Sequence, residues 1–202
     1  MHKTPRKRGR PPSIDSAAAM RAIVELFRAK GFAAVSLDDL SGATGLSRPS
    51  LYRSFGDKLS MYMAAIDAFG DQVEQTAVPA LLREGDLEST LSDFYDEMLT
   101  IYYRDDSIAA GCLVYGTAPG SADISAVKTR LFASIEKLDK AMFDRISRSH
   151  PSATDGAIET AAQMASNTLM AFSARAKSGA TKSELSTMGR HSARAICAML
   201  AN

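Results

Sequence analysis

The sequence predicts an all-α fold, a small amino-terminal three-helix unit followed by a larger helical domain. Three observations predict it. Apolar residues recur three and four apart through most of the chain, as on the buried face of a helix, and no stretch alternates apolar and polar residues as a half-buried strand does. Glycine, proline and N-capping residues fall in the gaps between those stretches. The 202 residues, 46% hydrophobic and 23% charged, can bury a core that needs no metal or disulfide.

His2 to Pro12 offers no apolar residue to bury and three prolines that oppose helix, so residues 1–12 are expected to form a flexible basic arm. From about Asp15, Ala19, Ile23, Leu26 and Phe27 stand at helical spacing, and Lys30-Gly31 supplies a basic last turn and a terminating glycine. Ser36 with Asp39 forms an approximate capping box, Val35 and Leu40 can staple it, and a helix over 37–44 follows up to Gly45. A third helix starts at Ser47, tolerates Pro49 in its first turn, and ends near Phe55-Gly56. Two short helices joined by a tight glycine turn make a helix-turn-helix, placed at 13–58.

The remainder, 59–202, carries longer helices. One runs from Lys58 towards Pro79 and one from Asp86 to about Tyr103; a short one lies between Gly111 and Gly120. Ile124, Val127, Leu131, Ile135, Leu138, Met142 and Ile146 form one amphipathic stripe that stops at His150-Pro151. Two more helices, over 155–177 and 183–201, are separated by Ser178-Gly179-Ala180.

The formal charge of +1 conceals an asymmetry: residues 1–58 carry 11 Lys/Arg against 5 Asp/Glu, and residues 59–202 carry 13 against 18. No uncharged apolar run approaches the roughly 20 residues of a membrane span, and the basic start leads into no apolar signal segment, so a cytoplasmic protein without membrane contact is expected. Cys112 and Cys197 form neither a CxxC nor a Cys/His cluster, and no metal or other cofactor is expected. HExxH, GxSxG, P-loop and GxGxxG patterns are missing, and His2, His150 and His191 stand in a tail, a helix end and a late helix, so the chain is expected not to be an enzyme.

The segment Ser47-Arg48-Pro49-Ser50-Leu51-Tyr52-Arg53-Ser54-Phe55 suits a duplex groove. A recognition helix places short polar or guanidinium groups at its amino-terminal end, facing base edges, and apolar groups behind. Arg48 can address guanine with two donors, Ser50 lets the backbone approach, and Leu51 and Phe55 face the core. Tyr52 and Lys58 can reach phosphates, and Arg53 adds a cation. In the arm, Arg8-Gly9-Arg10-Pro11, with Arg6 before it, resembles the core of an AT-hook suited to a narrow A·T-rich minor groove.

Gly31-Phe32, Ser36-Leu37-Asp38-Asp39-Leu40, Gly45-Leu46-Ser47 and Ser50-Leu51-Tyr52 to Phe55 with Lys58 together resemble the DNA-binding domain of the TetR/AcrR family. The arm with Gly9-Arg10-Pro11 and the later Gly111-Cys112-Leu113 are similar to one subgroup of that family. The resemblance implies Ser36, Tyr52 and Lys58 at phosphates, and Ser47, Arg48, Pro49 and Ser50 at bases. It further implies a repressor, released from a palindromic double-stranded operator by a small-molecule effector. Candidate effector-pocket residues are Phe94, Tyr95, Met98, Tyr102, Cys112, Tyr115 and Met142. The last two helices are expected to pair two copies into a homodimer through Ala161, Ala165, Leu169, Phe172, Leu185, Gly189, Ala193, Ile196 and Leu200, with intrachain packing as the other use of those residues. A redox-responsive regulator sensing through Cys112, or an activator, is the alternative.

Overall fold

A computed structural model describes residues 15–103 and 109–201. The arm, with Arg6, Arg8 and Arg10, lies outside the described residues. Helix α1 (Ser16–Ala34) is capped by Asp15, which accepts from the Ala18 amide at 2.9 Å, and bends at Gly31, where φ is +75°. That left-handed conformation suits glycine and carries the chain across the kink. Helices α2 (Leu37–Thr44) and α3 (Arg48–Phe55) follow, then α4 (Lys58–Thr76), which ends before Pro79 because that proline opens a separate short helix, α5 (Val78–Leu82).

The larger domain contains α6 (Leu87–Tyr102), the single turn α7 (Leu113–Gly116) with a 3-10 turn at Ala118–Ser121, α8 (Ser125–Ser149), α9 (Asp155–Lys177) and α10 (Lys182–Leu200). Among the described residues β-structure is limited to one isolated bridge between Tyr103 and Ala109. No described helix is long and apolar enough to cross a membrane.

The two halves share a continuous core. Ile23 and Phe27 of α1, Leu40 of α2 and Leu51 of α3 meet Met61, Tyr62 and Ile66 of α4, all between 0% and 1% exposed. Phe27, Phe32 and Tyr62 pack as an aromatic trio, with Tyr62 centred 4.8 Å from Phe27 and 5.2 Å from Phe32.

Helices α9 and α10 close on α6 inside one chain, which is the other use expected of their small residues. Ala161, Ala165, Leu169, Phe172, Leu185, Gly189, Ala193 and Ile196 are all buried within the single chain, whereas Leu200 remains half-buried. Their smallness serves close intrachain approach. A Cβ on Gly189 would stand 3.1 Å from Phe172 and from Tyr95, and Tyr95 packs edge-on against Phe172 while donating to the Ala165 carbonyl at 3.1 Å. A residue with no surface left has none to lend to a second copy.

Two buried arginines bolt elements that are distant in sequence. Arg145 of α8 donates to the carbonyls of Leu81 and Gly85 and to the Thr90 hydroxyl, each at 2.9 Å, so α8 is held to the α5–α6 corner. Desolvation and the neighbouring Arg148 push its pKa down. Arg28 of α1, only 2% exposed, donates to the Ile101 carbonyl at 2.6 Å and to the Gly111 carbonyl at 3.0 and 2.7 Å. Replacing Arg28 with Gln strands those carbonyls. Stability is expected to fall by on the order of 3 kcal/mol, read as a lower urea midpoint with an unchanged slope; a midpoint within error of wild type would show that the clamp contributes nothing.

Candidate nucleic-acid interface and adjoining cavity

The reader is built on its caps. Ser36 accepts from the Asp39 amide at 3.1 Å, and the Asp39 carboxylate accepts in return from the Ser36 amide at 2.9 Å, so the expected capping box is complete. Lys30 reaches the other Asp39 oxygen at 2.7 Å. These bonds hold the Asp39 carboxyl far below the ordinary Asp range, with the Lys30 hydrogen bond the largest cause. Both acids of the first turn, Asp38 and Asp39, also sit at the positive pole of α2.

The turn between α2 and α3 is held by hydroxyls. Gly45 adopts φ +69°, Thr44 Oγ1 donates to the Leu40 carbonyl at 2.7 Å and accepts from the Leu46 amide at 3.2 Å, and Ser41 Oγ donates to the Leu46 carbonyl at 2.5 Å. This fixes where α3 starts. Ser47, its N-cap, makes no side-chain cap; its hydroxyl instead lies 3.0 Å from that of Ser50.

Helix α3 then divides as its sequence predicts. Leu51 is wholly buried, while Ser47, Arg48, Pro49 and Arg53 are exposed and Tyr52 is 48% exposed. Tyr52 therefore stands on the outer face and outside the core. Arg48 does not extend freely: its Nε donates at 2.9 Å to Asp38, across from α2, and Nη2 bonds the same oxygen, which pushes the guanidinium pKa up. Lys58 lies over the Phe32 ring at 4.5 Å, tying the start of α4 to the end of α1. The Arg48–Asp38 and Lys58–Phe32 contacts had no local sequence signal, since each joins residues at least ten apart.

Beside the reader, α4, α6, α7 and α8 enclose a cavity of about 530 Å³. Of the residues expected in a pocket, Met98, Cys112 and Tyr115 line it; Phe94, Tyr95, Tyr102 and Met142 do not, and all four are buried in the core. These four share the periodic stripes of the liners because the inward faces of α6 and α8 each serve both core and cavity. The walls that sequence reasoning missed are Ile66, Phe69, Gly70 and Val73 of α4 and Leu138 and Ala141 of α8. An apolar run on α4 extending past the part that α1 covers was the available signal. Cys112 is 2% exposed, and burial pushes its thiol pKa up, the reverse of what an oxidant-reactive thiolate needs.

Residues 19–65 match the bacterial regulatory proteins of the tetR family. This span covers α1 to the early turns of α4, so the matched segment is a TetR-family amino-terminal domain. It is 32% identical over 125 residues to the HTH-type transcriptional repressor ComR of Escherichia coli, covering 59% of each chain. It is 25% identical to the HTH-type transcriptional repressor BdcR of the same organism over 205 aligned positions, 98% of this chain and 97% of that one. The matches to ComR and to the Bacillus subtilis regulator YezE span less than two thirds of those relatives, 59% and 56%. In fold, the chain is similar to the TetR family regulator CifR, a cysteine mutant complexed with 26-bp double-strand operator DNA. The TM-score is 0.80 at 23% identity, with 93% of this chain and 99% of that one covered.

The cap makes a pH prediction. A carboxyl whose folded pKa is depressed contributes stability that is present above its unfolded pKa near 4 and lost as pH falls through the folded value. Asp39→Asn is therefore expected to be less stable than wild type in urea at pH 6, with the gap narrowing steadily below about pH 4. A gap that stays constant down to pH 2 would show that ionised Asp39 is irrelevant to the fold.

Proposed function

We propose that this chain is a homodimeric, sequence-specific DNA-binding transcriptional regulator of the cytoplasm, a repressor that a small-molecule effector releases from a palindromic double-stranded operator. The observation that carries the reading is α3, with Leu51 wholly buried and the polar residues of its amino-terminal end turned outward on a helix that a capped α2 and a pinned turn hold in place. That is the arrangement by which a second helix enters a major groove. ComR and BdcR are named repressors, and the CifR complexes contain operator DNA, which supports the same reading here.

In this reading residues 1–12 are a basic arm whose Arg6, Arg8 and Arg10 enter the minor groove, 13–58 read the operator, and 59–202 bind effector and pair. Ser36, Tyr52 and Lys58 meet phosphates; Ser47, Arg48, Pro49 and Ser50 face base edges, with Arg53 adding charge. The partner for pairing is a second copy on the outward face of α9 and α10. Met164 and Met170 are 42% and 48% exposed there, on the side opposite the buried residues, and Asn167, Ala174 and Ala195 are exposed with them. Two recognition helices about 34–36 Å apart then fit successive grooves. Effector in the cavity favours a differently spaced dimer and so weakens the operator complex.

Selection of bound DNA from random duplexes is expected to return a palindrome; recovery of no preferred sequence rejects the reading. Arg48→Ala is expected to lower affinity for that sequence about tenfold or more and to relax preference at one base pair per half-site. Met170→Glu is expected to shift the protein to monomer in analytical ultracentrifugation and weaken operator binding; an unchanged dimer would place pairing on another surface. Deleting residues 1–11 removes five cations and is expected to flatten the log–log salt slope by up to about 4.

A further inference from the structure

We infer that the cavity between α4, α6, α7 and α8 takes an uncharged, largely apolar small molecule and discriminates against anions and cations of similar size. This rests on the effector-binding reading above and specifies the chemistry of that same site. At about 530 Å³ the cavity has the capacity of a small-ligand site.

Its ionised lining groups on α8 are already matched by α4. Arg130 pairs with Asp67 at 2.8 Å, and Lys137 bonds Glu74, so the two lining cations are held by carboxylates of the facing helix. An anion entering the site has to draw one of them away, past the further lining carboxylate of Asp71. Ile66, Phe69, Val73, Met98 and Leu138 give the rest of the lining an apolar character.

The protic groups there stay neutral. Burial pushes the Cys112 thiol up and the Tyr115 phenol far above its ordinary range, and the Asp139 charge raises Tyr115 further. Neither group supplies a countercharge, the remaining lining carboxylate, Asp71, is exposed to solvent, and a charge moved from water against the apolar walls without a partner is costly. An uncharged molecule escapes that cost, and a single acceptor atom on it has Tyr115 and Cys112 as candidate donors.

Gly70 provides a direct test because it lines the cavity and a Cβ there meets nothing within 4 Å. Gly70→Leu fills the space from a helical position where leucine is the better helix former. The full-length protein is titrated by fluorescence with N-phenyl-1-naphthylamine, which is neutral, with its sulfonated relative 1-anilinonaphthalene-8-sulfonate, and with the cation thioflavin T. One naphthylamine per chain is expected, bound at least about tenfold more tightly than either charged dye. Gly70→Leu is expected to weaken it by a similar factor, with a melting temperature no lower than wild type. Equal or tighter binding of either charged dye, no binding of the neutral one, or neutral binding indifferent to Gly70→Leu overturns the inference. The DNA selection separates the two readings. A protein that ranks the dyes as expected yet selects no sequence overturns the regulator and leaves the cavity chemistry standing; one that selects a palindrome but reverses the dye order does the opposite.

Discussion

A single buried guanidinium fixes how the amino-terminal helices sit on the rest of the chain. Arg28 leaves α1 and ends among the Ile101 and Gly111 carbonyls, paired with Glu25 and lying over the Phe69 ring at 5.2 Å. Ile101 belongs to the last turn of α6, whose carbonyls have no helical amide to accept from and carry the negative end of the helix dipole. A cation is the complement that such an end requires. From the other side Lys177 of α9 donates to the Arg28 carbonyl at 3.3 Å and to that of Gly116 at 3.4 Å, so α1 is held by both its side chain and its backbone. Removing any one partner leaves a charge or a carbonyl buried without compensation, and that penalty exceeds what the lost bond itself contributes.

The same clamp touches the cavity. Phe69, under the Arg28 guanidinium, lines it, and Gly111, whose carbonyl Arg28 holds, leads directly into Cys112, Val114 and Tyr115, which line it too. Helix α4 is a cavity wall whose first residue, Lys58, comes three positions after the recognition helix ends. On the reading proposed here, an occupant has two routes to the reader: along α4, or through α7 and Arg28 into α1. The ion pairs Arg130–Asp67 and Lys137–Glu74 resist the first by tying α4 to α8, and they are half exposed, so their hold is modest and reversible. A coupling element has to possess two arrangements of similar energy, and a pair of surface ion bridges is easier to rearrange than a buried arginine.

How much of this was legible in the sequence follows from how local each determinant is. The helix bounds and the reader could be read because their signals lie within a few residues: Ser36 with Asp39, Gly45, Pro49, and the stripe from Val127 to Ile146. The cavity could not, because period shows which face of a helix is buried and is silent on what covers it. Tyr95 and Met98 stand three apart on one stripe, yet one fills the α6–α9–α10 contact and the other faces the cavity. The alanines and Gly189 suffered the same ambiguity, since a small residue permits close approach equally to a helix of the same chain or of a second copy. On the pairing proposed above, the face is marked instead by Met164 and Met170, large residues left exposed where the intrachain core has no use for them. The clamps of Arg28 and Arg145 had no local signal, because their partners on other elements lie 55 to 83 positions away.

The charge of the reader divides in a way that bears on how it would discriminate between sequences. Residues 15–58 carry 6 Lys/Arg against 5 Asp/Glu, so the basic excess of the amino-terminal region belongs to the arm. Within the folded part, Lys30 is bonded to Asp39 and Arg48 to Asp38. On the reading proposed here, a folded part with so small a net charge gains less from phosphate in general than the arm does, and phosphate attraction is the sequence-independent part of binding. Asp38 sharpens the effect, because a base that takes Arg48 must offer a better acceptor arrangement than the carboxylate already there. Guanine, with two acceptors spaced for a guanidinium, does so; a base edge presenting a donor does not. On the reading proposed here, the acid that strengthens the amino terminus of α2 also sets the threshold that a groove has to pass before Arg48 leaves it, and the general affinity forgone returns as a ratio between right and wrong sites.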